Sequence, residues 1–348
     1  MRRNQSKMTN PPTRNSGFTL IELVVVILVI AILVAMIMPA MSGARNAARN
    51  AQVVADIKNL EAAIANFKLK FGREPPSSIV LFERASDWNA YRTSTATDEL
   101  SLLAKNSIAT IREIWPDFDF GYTASAGISV TPDTDFATLG ELDINGNGTI
   151  DATPIRLNGA ECLAFFLGGV CATMDNNSPP NMIVEVNGAT GTPQAPKQWA
   201  PLGFSTNPRM PFKRGGNRVG PFVEFAPERL VGGTQVNTEN GVMPAYLDTL
   251  PNQTLPYLYL SSNNGRGYNK TGSDNDSFNR DAAPLEFKTY FRPGTKLAHN
   301  QKTYQIISPG PDGEYGIGGE YESGKQMKSE QARDRDNITN FSSGPLSP

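Results

Sequence analysis

Glu22 is the only charged residue in a long apolar run, GFTLIELVVVILVIAILVAMIM, at residues 17–38. Residues 23–44 carry no charge, and a helix of that length, at about 1.5 Å per residue, crosses a hydrocarbon core of roughly 30 Å. We therefore predict a transmembrane segment at about residues 20–42. A carboxylate inside such a segment is costly, which predicts a functional role with a cationic partner. A side chain that merely reaches the membrane edge is the alternative.

The segment before the apolar run carries four cations, Arg2, Arg3, Lys7 and Arg14, and no acid. By the positive-inside rule this end stays in the cytoplasm and the rest of the chain lies outside. In a secretory signal peptide the cleavage site follows the apolar core, whereas here the polar-to-apolar junction, Gly17-Phe18, precedes it. A cut at this junction removes a leader of residues 1–17 and keeps the anchor.

The string GFTLIE at residues 17–22 resembles the cleavage and methylation motif of the type IV pilin and type II secretion pseudopilin superfamily. The resemblance implies that a prepilin peptidase cuts between Gly17 and Phe18 and methylates the new Phe18 amine. It also implies that Glu22 attracts the Phe18 ammonium of a neighbouring subunit during assembly. Burying either charge alone in a low-dielectric layer costs free energy, and two opposite charges recover much of that free energy by pairing there.

The elements that position these residues begin with a long helix over residues 18–72. Pro39 is expected to kink it, and residues 43–72 form an amphipathic continuation. Apolar residues recur there at spacings of three and four, namely Ile57, Leu60, Ile64, Phe67 and Phe71. Gly72 and the prolines that follow end the helix. We expect the stripe to pack against a globular head; a separate binding face is the alternative.

The resemblance implies that residues 73–348 form an extracytoplasmic head in an α+β, pilin-like fold, and we expect an antiparallel sheet, long loops and insertions. The 31 Gly and 26 Pro of the chain favour many turns. Candidate strands are residues 182–186, 221–226, 255–260, 287–291 and 303–307, and candidate short helices are residues 98–105 and 159–167.

Two further segments narrow the resemblance to the major, G-type pseudopilin of type II secretion, here with an enlarged head. Residues 55–77, ADIKNLEAAIANFKLKFGREPPS, resemble its head-proximal helix, and residues 304–316, YQIISPGPDGEYG, resemble its C-terminal loop. That loop binds calcium in relatives, which implies ligands in the C-terminal loop region 304–348, at Ser308, Asp312, Asp334 and Asp336. A solvated cluster of turns explains the same residues.

A second calcium-like string, DINGNGTID, lies at residues 143–151. Its oxygen-bearing residues follow the spacing of an EF-hand loop, through Asp143, Asn145, Asn147, the Thr149 carbonyl and Asp151. The twelfth position is Pro154, so an acid from elsewhere, for example Glu161, would have to complete the site. An Asn-Gly turn between strands is an equal alternative.

Cys162 and Cys171 are the only cysteines. In an oxidising compartment they could form a disulfide if a turn at Gly168-Gly169 brings them together; the alternative is two buried thiols. Together with the single remote His299 they do not make a zinc site. No nucleophile elbow, HExxH motif or phosphate loop occurs, so we predict no enzyme activity.

The sequence predicts a non-enzymatic subunit of a type II secretion pseudopilus that drives protein export across the outer membrane. Its expected partners are copies of itself, other pseudopilins, prepilin peptidase, the inner-membrane assembly platform and membrane lipid. Its expected location is the inner membrane, in a single pass, with the head in the periplasm. Without the four leader cations, 28 basic residues face 34 acidic ones, a net charge of −6 that does not favour nucleic acid. The alternatives are a type IV pilin for adhesion, motility or DNA uptake, and a membrane-tethered binding or enzymatic domain.

Overall fold

The computed structural model describes residues 19–122, 140–145, 150–174, 198–214, 216–232, 243–272, 277–295 and 297–347. The chain divides into two compact units, Met1–Ala48 and Arg49–Pro348. Helix α1, Leu20–Phe71, supplies every described residue of the first unit except Thr19, and it is the first element of the second unit. Short helices and strands form the remainder, so the fold is α+β, as predicted.

The two ends of α1 follow local sequence signals. Its first turn contains an acid and its last turn contains Lys68 and Lys70, an arrangement that complements the helix dipole. Gly72 adopts φ +78° and donates its amide to the Lys68 carbonyl at 2.8 Å, which ends the helix as predicted. The helix is continuous through Pro39, and the predicted kink there stays a prediction.

In the part of the head that the structure describes, three further α-helices accompany several short β-ladders. The helices are α2 (Ala85–Thr93), α3 (Glu99–Ile114) and α4 (Gly159–Gly168). The antiparallel ladders join β1 (Ile79–Leu81) with β2 (Ile155–Leu157), β3 (Cys171–Met174) with β4 (Gln198–Pro201), β5 (Phe204–Ser205) with β6 (Arg218–Val219), and β7 (Leu230–Gly232) with β8 (Pro244–Tyr246). A three-stranded antiparallel sheet has the order β13 (Ile338–Thr339), β11 (Tyr304–Ser308), β9 (Leu258–Ser261). Strands β10 (Lys288–Phe291) and β12 (Gly318–Glu320) pair in parallel, a departure from the predicted antiparallel sheet.

The apolar stripe of α1 enters the core of the head. Ile57, Leu60, Ile64 and Phe67 are at most 1 % exposed, which confirms packing against the head rather than a separate binding face. Phe67 lies edge-on to the ring of Phe166 at 5.8 Å between centroids. This aromatic contact joins α1 to α4, all of whose residues are buried.

Helix α4 is fixed at its amino end by a capping box, and it approaches β9 very closely. The Asn158 side chain accepts the amides of Ala160 and Glu161, while the Glu161 carboxylate accepts the Asn158 amide at 3.1 Å. A Cβ at Gly159 would lie 1.8 Å from the Tyr259 carbonyl oxygen, so only glycine allows this contact.

The strands predicted at residues 255–260, 287–291 and 303–307 correspond to β9, β10 and β11. The strand predicted at residues 221–226 is wrong. Its Phe222 amide donates to the Leu167 carbonyl of α4 at 2.7 Å instead of entering a ladder, and the Phe222 ring packs on Phe67. The candidate strand at residues 182–186 lies outside the described residues.

A charged contact also ties α1 to the head. Asp56 pairs with Arg229 and accepts the Tyr257 hydroxyl at 2.7 Å. The Arg229 guanidinium donates from Nε to the Leu247 carbonyl at 3.0 Å and lies 4.1 Å from the centroid of the Tyr246 ring. These partners hold a cation whose side chain is only 18 % exposed.

We expect Asp56→Ala to lower the free energy of unfolding by about 2 to 3 kcal/mol, because it leaves the Arg229 cation without its acid. The measurement is urea unfolding of the full chain in mild detergent. Lys58→Ala is the matched control, since it breaks a pair with Glu61 on the same helix in which the lysine is 63 % exposed. Such a pair contributes less than about 1 kcal/mol, so equal losses in the two variants would contradict the assignment.

Candidate functional site

Thr19 and Glu22 form a hydrogen-bonded box at the amino end of α1. The Thr19 amide and hydroxyl both donate to Glu22 Oε2 at 2.8 Å, and the Glu22 amide donates to Thr19 Oγ1 at 3.3 Å. This reciprocal pattern is a capping box, which satisfies amides that the first helical turn leaves unpaired. The role was not predicted, although Thr-x-x-Glu before an apolar run is its sequence signature.

The other carboxylate oxygen of Glu22, Oε1, accepts no hydrogen bond from the residues that the structure describes. The capping box therefore uses one oxygen and leaves the second open to a donor from another molecule. Gly17 and Phe18 lie outside the described part of the chain. The predicted cleavage and methylation positions thus stay predictions.

The helix around Glu22 exposes apolar side chains on every side. Between Leu20 and Val34 every large apolar side chain is at least 43 % exposed, and Leu20 reaches 82 %. A contiguous apolar surface of this kind marks a site that another surface covers. No helix among the described residues combines the length and apolarity needed to cross a membrane. The placement of residues 20–42 in a membrane stays a prediction.

Of the predicted C-terminal calcium ligands, Asp312 and Asp336 contact each other, and Asp334 is buried. Asp336 Oδ2 accepts the Asp312 amide at 2.8 Å. Asp334 accepts the Tyr290 hydroxyl at 2.6 Å and the Gly318 amide at 2.7 Å. Burial is the main cause that raises the pKa of Asp312, Asp334 and Asp336; the charges of neighbouring carboxylates add to it, and hydrogen-bond donors oppose it.

The fourth predicted ligand, Ser308, donates its hydroxyl to Asp248 Oδ2 at 2.5 Å. Asp248 was not predicted, because it lies 60 residues away in sequence. It also accepts the Gln253 amide group at 2.9 Å. Protein hydrogen bonds therefore occupy Ser308 and Asp334. Across the described ranges no three His, Cys, Asp or Glu side chains form a group that could hold a metal ion.

The second calcium-like segment is organised around a carboxylate that was not predicted. Glu83, only 1 % exposed, accepts the amides of Ile144 at 2.8 Å and Asp151 at 2.7 Å. Burial is the main cause that raises the pKa of Glu83 to about 8; the charges of Asp143 and Asp151 add to it, and the amide donors oppose it.

The predicted ligands of this segment have protein partners of their own. Asp143 pairs with Arg214 at 3.3 Å, and the Asn145 amide group donates to Asp151 Oδ2 at 2.6 Å. Asn147 and Thr149 lie outside the described residues. Glu161, which could have completed the site, belongs to the capping box of α4. The calcium reading of this segment stays a prediction.

Cys162 and Cys171 are buried free thiols, the second of the two alternatives. The Cys162 thiol faces the Leu157 carbonyl at 3.7 Å, whereas the Cys171 thiol faces the Gly169 carbonyl at 3.9 Å. Burial raises the pKa of both thiols. Their contacts are those of core packing groups.

Comparison with known proteins places one part of the chain in a family context. Residues 12–38 match the model of the prokaryotic N-terminal methylation motif, a segment that includes Gly17, Phe18 and Glu22. No curated protein and no solved structure matches the chain. The motif indicates a pilin-like substrate of prepilin peptidase.

Proposed function

We propose that this chain is a non-enzymatic structural subunit of a type II secretion pseudopilus. The observation that carries the proposal is the methylation motif at residues 12–38, which implies processing by prepilin peptidase and assembly into pilus-like polymers. The open Oε1 of Glu22 and the exposed apolar surface of α1 support it, because one offers a charge to a neighbouring subunit and the other a surface to pack on.

In this proposal the chain is first an inner-membrane protein with a single pass, a cytoplasmic leader and a periplasmic head. Prepilin peptidase hydrolyses the bond between Gly17 and Phe18 and then methylates the Phe18 amine. The new ammonium of one subunit meets the Glu22 carboxylate of the next. Other pseudopilins and the inner-membrane assembly platform complete the filament, which pushes substrates through an outer-membrane channel.

A type IV pilin for adhesion, motility or DNA uptake is the second candidate, because it uses the same motif. The resemblance of residues 55–77 and 304–316 to the G-type pseudopilin favours secretion.

Deletion of the gene separates the two functions. Accumulation of an exported protein in the periplasm is expected for secretion, whereas loss of twitching or surface fibres with export intact would contradict it. Adjacent secretin and secretion-ATPase genes support secretion, and a retraction-ATPase gene supports a pilus.

We also propose that calcium binds the C-terminal loop, with Asp312 and Asp336, which contact each other, as its first ligands. Ser308 and Asp334 would join them by exchanging their present hydrogen bonds with Asp248 and Tyr290 for the cation. Burial is the main cause that raises the pKa of Asp334 and Asp336, and the negative charge of Asp312 adds to it; a cation would offset that added repulsion.

Calcium at about 100 times its Kd should stabilise the head by about 2.7 kcal/mol. Chelation should therefore lower the melting temperature of the full chain, and Asp312→Ala should remove the difference between calcium and chelator. Asp117→Ala, at an exposed aspartate outside the loop, is the control. An unchanged melting temperature on chelation would contradict the site.

A further inference from the structure

A cleft in the head lies between α3, β2 and the 3₁₀ turn Arg280–Ala282. It consists of two adjoining hollows with volumes of about 220 and 310 Å³. The larger hollow alone reaches the size of small-molecule sites in proteins, which begin at about 300 Å³. Glu99 and Arg280 line both hollows, so a ligand where the hollows meet contacts both charges. Arg156, which lines only the smaller hollow, already has a partner in the chain and supplies no free charge.

Several polar side chains of the cleft are open to a ligand. Within the described ranges, neither the Glu99 carboxylate nor the Arg280 guanidinium has a hydrogen-bond or ion-pair partner. The same is true of the neutral side chains of Ser78 and Asn106 in the smaller hollow and of Thr271 in the larger one. A hydroxyl or a side-chain amide both donates and accepts hydrogen bonds. The cleft therefore offers donors and acceptors side by side.

Apolar side chains lie next to these polar groups. Leu102, which is 47 % exposed, lines the smaller hollow. The half-buried side chains of Phe278 and Leu285 line the larger hollow. The negative face of an aromatic ring attracts the weakly positive C–H bonds of a ligand. An aromatic ring beside hydroxyl-binding groups suits a sugar ring, which has an apolar C–H face and a polar rim.

Backbone hydrogen bonds hold the segment that carries Phe278 and Arg280. The Thr271 amide donates to the Phe278 carbonyl at 2.9 Å, and the Arg280 amide donates to the Asn269 carbonyl at 2.9 Å. The next residue, Asp281, is buried and accepts the Asn269 amide group at 2.9 Å. Because this segment is fixed before a ligand arrives, binding costs less conformational entropy.

We infer that this cleft binds a neutral saccharide, with one sugar ring on Phe278 in the larger hollow and a second sugar unit in the smaller one. Hydroxyl groups of the ligand donate to Glu99 and accept from Arg280, since a hydroxyl does both. A simple anion would face Glu99 and also Glu286, which lines the larger hollow. A simple cation would leave the donors of Arg280 unmatched.

The test is calorimetric titration of the full chain with cellobiose, maltose and lactose, in a detergent that has no sugar headgroup. At least one disaccharide should bind saturably at millimolar concentration, at one site per chain. The uronic-acid and amino-sugar counterparts of that disaccharide should bind at least about fivefold more weakly, because each brings a charge to a site that contains both signs. The measurement needs no filament, so its outcome is independent of the secretion role.

Two variants remove the groups that hold the ligand. Arg280→Ala should weaken binding at least about tenfold, because the saccharide loses a charged hydrogen-bond donor. Phe278→Ala should also weaken binding at least about tenfold, whereas Phe278→Tyr keeps the ring and should stay within about threefold of the parent chain. Rescue by tyrosine separates contact with the ring from a merely structural role.

Arg92→Gln is the matched control and should bind like the parent chain, since Arg92 is exposed on α2 and does not line the cleft. Circular dichroism and the melting temperature show that each variant is folded. Absence of binding by all three disaccharides at millimolar concentration would overturn the inference. So would a charged counterpart that binds more tightly than the neutral sugar, folded Arg280→Ala or Phe278→Ala that binds as tightly as Arg92→Gln, or folded Phe278→Tyr that binds as weakly as Phe278→Ala.

Discussion

Glu22→Leu is expected to abolish fibre assembly while the full-length chain still reaches the membrane. Leu removes the carboxylate that would meet the Phe18 ammonium of the next subunit. Loss of one partner of a charge pair in a low-dielectric layer costs about 3 to 5 kcal/mol per contact, which is more than about 100-fold in an association constant. Electron microscopy of sheared or overproduced fibres, with immunoblotting of the membrane fraction, measures both outcomes.

Glu22→Gln separates assembly from helix capping. Glutamine can replace glutamate in a capping box, so this variant keeps the contact with Thr19 and loses only the charge. We expect Glu22→Gln to fail in assembly as Glu22→Leu does. Normal fibres from Glu22→Gln would show that capping, and not charge pairing, is the essential role of this residue.

Phe67→Ala is expected to lower the free energy of unfolding of the head by about 3 to 5 kcal/mol, the range for a fully buried phenylalanine. Phe67 is 0 % exposed, and its ring contacts Phe71, Phe166 and Phe222. Urea unfolding followed by tryptophan fluorescence measures the change, because Trp115 lies 5.4 Å from Phe71 in the same aromatic cluster.

Leu69→Ala is the matched control for Phe67→Ala. Leu69 lies two residues further along the same helix and is 85 % exposed, so its loss should change the free energy of unfolding by less than about 0.5 kcal/mol. Comparable losses in both variants would contradict the packing of this face of α1 in the head core.

Patterns in short stretches of sequence predicted the parts of the fold that depend on residues close together in sequence. The stripe from Ile57 to Phe67, the Gly72 cap and the start of α4 all follow from spacings of a few residues. Helix α3 extends beyond the predicted residues 98–105, because Ile108 and Ile111 also pack in the core. The strand predicted at residues 221–226 is wrong, because the Phe222 amide donates to the Leu167 carbonyl of α4 and its ring packs on Phe67 instead of entering a ladder.

In the candidate site, too, the residues that lie close together in sequence were predicted and those that are distant in sequence were not. The cleavage motif and Glu22 are contiguous in sequence and were predicted. Glu83 lies 61 to 68 residues from the amides that it accepts, and Asp248 lies 60 residues from Ser308, so no spacing rule could have found them. Thr19 is the exception. Its capping signature with Glu22 is local, but only the role of Glu22 in assembly was predicted.

Mass spectrometry of the mature amino terminus tests the central claim most directly. The chain, produced with its prepilin peptidase and isolated from membranes or fibres, should begin at Phe18 and carry one methyl group on its α-amine. The same chain produced without the peptidase should keep residues 1–17. A chain that retains the leader in the presence of active peptidase, or begins after the apolar run, would contradict the account.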